Sequence, residues 1–119
     1  ESIHSWFQGL LATNESKYPW MDEGFTSYAQ HDAMDHVYRK NTLNSHIGAH
    51  RNYQFLVKSK EQEPLTTHAD HYKKNRTYGI SVYSKGEVFL DQLDYIIGEK
   101  AFEETMMEYY NQWKLFYFD

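Results

Sequence analysis

Glu1, His4 and Glu23 are the residues whose types and spacing point first to chemistry. If residues 1–12 are helical, Glu1 and His4 lie three apart and project from one face. Eighteen residues, 5–22, then separate His4 from Glu23, which opens a second amphipathic pattern after the turn-forming Tyr18-Pro19. A His and a Glu from two adjacent helices can meet at one metal.

These residues need helices to hold them. Ile3, Trp6, Phe7, Leu10 and Leu11 form an apolar stripe of helical period over residues 1–12, which Thr13-Asn14-Glu15-Ser16 breaks. Pro19 suits the first turn of the next helix, where a missing N–H costs nothing, and Trp20, Phe25, Tyr28 and Ala29 carry it toward Met34 and Val37. A third helix is expected from about Asn44 to Lys58. Residues 59–79 are polar, contain Pro64 and Gly79, and predict a long loop of the kind that is functional or disordered. Phe89, Leu93, Ile96 and Ile97 return to helical spacing, and Gly98 is a stop. Phe102, Met106, Tyr109, Tyr110 and Trp113 give a last helical face that predicts a hairpin with its neighbour. The aromatic positions from Phe89 to Trp113 are expected in the core. The tail Leu115-Phe116-Tyr117-Phe118 carries four apolar residues with no stop signal.

Composition bounds the function. The chain has 119 residues, 40% of them hydrophobic and 18% aromatic, enough for one domain with a real core or for surfaces that neighbouring segments would cover. A formal charge of −5, with one basic cluster at Lys73, Lys74 and Arg76, argues against a nucleic-acid partner. There is no cysteine, so disulfides, zinc ribbons and thiol catalysis are excluded. No window approaches the roughly 18 apolar residues of a membrane span.

Glu1-Ser2-Ile3-His4 reads as the end of a His-Glu-x-x-His zinc motif whose first His would lie one position before residue 1. Together with Trp20-Met21-Asp22-Glu23-Gly24-Phe25 and Tyr83-Ser84-Lys85-Gly86, in that order, the chain resembles the aminopeptidase N family of gluzincin zinc metallopeptidases. The resemblance runs through nearly all of residues 1–119. It implies a single helical fragment, all-α, forming the helical half of a thermolysin-like metallopeptidase catalytic domain. It implies zinc bound by His4 and Glu23, Glu1 as the general base, and Tyr83 as the donor to the oxyanion of the tetrahedral intermediate. It implies a peptide substrate, with N-terminal residues removed by hydrolysis, and dependence on the remaining segments of the parent catalytic domain. Because the first His of the motif and the family's Gly-rich exopeptidase segment would lie upstream, the sequence reads as an excised slice that is inactive alone. Two alternatives stand beside this reading. One is a non-catalytic helical scaffold or interaction module; the other is the family branch that opens lipid epoxides at the same zinc site.

Other polar clusters read as ordinary surface or core. His46 and His50 have the i, i+4 spacing of a helical zinc pair, but Ile47 stands where a catalytic Glu would. His31, Asp32, Asp35 and His36 read as a solvated face, and His68, Asp70 and His71 as a polar loop. Asp22, where family members often have Asn, could support the neighbouring ligand.

Overall fold

The computed structural model describes residues 2–114 apart from Trp6, residues 39–43 and the side chain of Gln8. Glu1, Trp6 and the apolar tail, residues 115–118, lie outside the described residues. Among the described residues six α-helices follow in order: α1 (Phe7–Leu11), α2 (Pro19–Tyr38), α3 (Ile47–Ser59), α4 (Asn75–Gly79), α5 (Gly86–Ile97) and α6 (Glu99–Trp113). A 3₁₀ turn spans Ala69–His71, and a π-helical segment, Ile80–Lys85, joins α4 to α5. The described residues contain no strand, so the chain is all-α, as expected. None of the described helices is long and apolar enough to cross a membrane.

Local chemistry sets the boundaries. Pro19 opens α2 with Asp22 in its first turn, where a carboxylate meets the positive end of the helix dipole. Lys60 ends α3 in the left-handed region, φ 58°, with its N–H on the Val57 carbonyl. Gly98, at φ 86°, turns the chain between α5 and α6, a conformation a side chain would strain.

The polar run 59–79 differs from the loop the sequence predicts. Asn75–Gly79 is helical and continues without a break through the π-helical segment into α5, because Gly79, Ile80 and Gly86 all keep right-handed helical angles. Only Thr77 of α4 is buried, so no apolar period marks this helix in the sequence. The preceding loop is tied down by polar contacts. Lys85 Nζ donates to the Glu63 carbonyl at 2.7 Å, the Lys73 N–H reaches Glu63 Oε1 at 3.2 Å, and Lys74 pairs with Glu61. The Ala69 N–H bonds to the Ser16 carbonyl at 2.8 Å, joining this loop to the connection before α2.

Phe25, Leu90 and Phe102 form the core, with Phe7, Trp20, Tyr28, Leu93, Met106 and Tyr109 packed around them. The core therefore sits among α2, α5 and α6, with α1 laid against α2 through Phe7 on Phe25. Not every aromatic of α5 and α6 belongs to it. Tyr95 and Ile96 are 84% and 75% exposed, and Phe89 and Met107 also face outward. Helical spacing identifies a face but not what covers it.

Candidate metal centre

The site forms where α2 crosses the π-helical segment. A Cβ on Gly24 would stand 2.9 Å from the Gly86 Cα and 3.1 Å from the Val82 carbonyl oxygen. Both glycines are thus required for two backbones to touch, and the contact fixes Glu23 on one helix against Tyr83 on the other. The wider π turn is a local departure from α geometry of the kind common at functional sites.

His4 comes from the turn before α1, held by the Phe7 N–H on the Ile3 carbonyl and the Gly9 N–H on the His4 carbonyl. Its Nδ1 lies 3.0 Å from Asp22 Oδ1 and 3.5 Å from Thr26 Oγ1. A carboxylate can only accept, so Nδ1 carries the proton and, in the neutral ring, Nε2 is a bare lone pair. That lone pair faces Glu23 Oε2 at 3.4 Å, and Oε2 is buried without a hydrogen-bond partner. With the ring neutral, these are two acceptors held face to face, one of them buried and unpaired, an arrangement that a cation between them would relieve. Asp22 on the far nitrogen is the arrangement that orients a metal-ligating imidazole. The donors present therefore fit a zinc-class cation, with His4 Nε2 and Glu23 Oε2 as the atoms that would hold it.

The electrostatics are those of a buried acidic site short of positive charge. Burial pushes the Glu23 carboxyl above the usual carboxylate range and the neighbouring Asp22 adds to this, while the Tyr83 hydroxyl and His4 oppose it. The Tyr83 phenol is raised well above its usual range, by burial first and then by its bond to Glu23. It stays a donor at neutral pH. Tyr78, one turn earlier, is raised by burial and then by Glu23, Glu15 and Asp22, which places a second phenol in the same negative field.

His4, Glu23 and Tyr83, singled out from the sequence, thus lie together, and Glu1 lies outside the described residues. Asp22 and Thr26 take larger parts than sequence reasoning gave them. The signal for Asp22 was its position beside Glu23; Thr26 and Tyr78 carried none.

Residues 1–116 match the model of the Peptidase family M1 domain. Among curated proteins the chain is similar to leucine aminopeptidase 2 of Chaetomium globosum, 22% identical over 120 residues, covering 96% of this chain and 20% of that protein. It is likewise similar to leucine aminopeptidase 2 of Aspergillus clavatus, at 25% over 131 residues, and of Aspergillus fumigatus, at 27% over 122 residues. Each of these two alignments covers 96% of this chain and 19% of the relative. The chain therefore spans about a fifth of the length of the curated relatives it matches. No solved structure matches it.

Proposed function

Because this chain belongs to peptidase family M1, we propose that it carries the zinc-binding part of an aminopeptidase, which hydrolyses the first peptide bond of its substrate. Peptide hydrolysis is the family's activity, and the similar curated proteins are named leucine aminopeptidases. The observation that carries the metal reading is the buried, unpaired Glu23 Oε2 facing His4 Nε2.

In this reading His4 and Glu23 would hold zinc, which when bound supplies Lewis acidity and a water acidified to about pKa 7. Asp22 keeps the His4 proton on Nδ1, so that Nε2 remains free to bind. Glu1 accepts a proton from the attacking water and returns it to the leaving amine, a role that rests on the family resemblance. Tyr83 donates its phenolic hydrogen to the oxygen that gains charge in the transition state, and its raised pKa keeps that hydrogen in place. Residues 1–119 supply two protein ligands in this reading, where zinc hydrolases usually have three. By themselves they are expected to turn over slowly or not at all.

Tyr83→Phe in the parent peptidase tests the roles. Loss of the donor should lower kcat by about 10²–10³ with zinc content unchanged, the magnitude seen when one oxyanion donor is removed. Unchanged kcat on an amino-acid anilide would remove Tyr83 from the mechanism. A lowered zinc content would make it part of the metal site instead.

A further inference from the structure

A second polar cluster lies where α2, α3 and α5 converge. Glu87, in the first turn of α5, is 2% exposed. Its Oε1 lies 2.6 Å from His31 Nδ1 on α2 and 2.8 Å from His46 Nδ1 at the start of α3. Among the described residues these imidazoles are its ion-pair partners, and no Lys or Arg joins them. Neutral imidazoles bring two N–H donors to this carboxylate but no compensating charge, and an uncompensated buried carboxylate is costly.

We propose that His31, His46 and Glu87 form a second divalent-cation site, taking a first-row metal of the zinc class. One ligand atom from each of the three side chains already lies within 4.8 Å of the others. Two imidazole nitrogens and one carboxylate oxygen suit zinc or cobalt; calcium and magnesium prefer all-oxygen sites. The cation replaces the two Nδ1 protons, which move to Nε2 as each ring changes tautomer. Ligands about 2.0–2.2 Å from a metal stand farther apart than these hydrogen-bonded atoms, so the cluster opens slightly on binding. His31, with its side chain 44% exposed, supplies both that movement and access from solvent.

His46, by contrast, is fixed. Its ring stacks on Tyr28 at 4.6 Å with an interplanar angle of 6°, and the Tyr28 hydroxyl donates to Asp94 at 3.1 Å. One turn on, His50 and Asp91 repeat the pairing between α3 and α5 at 2.6 Å. The site lies eight residues beyond Glu23 along α2, about 12 Å by helical rise. Glu87 is four residues beyond Tyr83. A cation here clamps together the helices that present Glu23 and Tyr83, and acts on the fold rather than on substrate.

Cobalt(II) titration of the His4→Ala/Glu23→Ala protein tests this, because the first site has been removed and its failure cannot be mistaken for failure of the second. One cobalt ion per chain should bind, with d–d absorption, and zinc should displace it. Zinc should also shift the imidazole nitrogen signals of His31 and His46. His31→Gln in the same background should weaken cobalt binding at least tenfold with helical circular dichroism unchanged, and Glu87→Gln should do the same. No cobalt uptake, unmoved His31 and His46 signals, or uptake indifferent to His31→Gln would each overturn the proposal.

Discussion

Two contacts made by the helix that ends at Ile97 are built in opposite ways. At its start, α2 and α5 meet backbone to backbone at Gly24 and Gly86, leaving no room for a methyl group. At its end, the outer faces of α5 and α6 leave Tyr95, Ile96 and Met107 open, with Ile96 75% exposed. Close packing therefore concentrates where the candidate metal ligands must keep their geometry. The outer face at the hairpin end presents apolar surface instead. Rigidity at the first contact explains how a two-acceptor arrangement at His4 and Glu23 can persist, since the carboxylate sits next in sequence to one of the crossing glycines.

The sharpest way to break this contrast is Gly24→Ala. The new Cβ meets backbone atoms of Val82 and Gly86 that cannot rotate away. A loss of about 1–3 kcal/mol is expected in urea unfolding, with zinc affinity reduced as well. Retention of full stability would mean that the helices part without cost. Tyr28→Phe comes next, with about 1 kcal/mol from the lost hydrogen bond to Asp94. Burial, and then Asp94, raises the Tyr28 phenol. The native state therefore holds its proton at pH values where the unfolded chain, near pKa 10, has lost it. The corresponding stability is complete below pH 10 and falls as pH rises through the folded value. Tyr28→Phe should accordingly flatten the alkaline fall in stability, measured as Tm against pH. The smallest effect belongs to the exposed end, where Ile96→Ser should change stability by no more than about 0.5 kcal/mol. A loss of several times that in chemical unfolding would show that this surface is packed in solution.

Three residues of the candidate site were legible in the sequence because they fall in short motifs. His4 and Glu23 stand at a telling separation, and Tyr83 is followed by Lys85 and Gly86. The remainder depends on three-dimensional placement. Nothing in the spacing of Gly24 and Gly86 says that they touch each other. A π turn differs from an α turn by a single residue in its hydrogen bonding, so Ile80–Lys85 has no periodic signature of its own. Asn75–Gly79 is helical with one buried residue, and its polar composition reads as loop. The His31, His46 and Glu87 cluster draws one residue from each of three helical segments. Sequence pattern placed the two histidines on solvated or ordinary faces, and only the fold brings a buried Glu between them. Helical period identified Phe102 and Tyr109 correctly as core-facing, but it could not tell that Tyr95 and Ile96 are uncovered.

Whether His4 and Glu23 hold a metal is measured by calorimetric titration of zinc into this chain preceded by one helical turn with a His immediately before Glu1. His31→Gln is included to silence the second cluster. One zinc ion should bind tightly, weakened at least a hundredfold by Glu23→Ala, equivalent to about 2.7 kcal/mol. Zinc affinity unchanged by Glu23→Ala would contradict the metal reading, because the unpaired buried carboxylate facing His4 would then have no part in holding the metal.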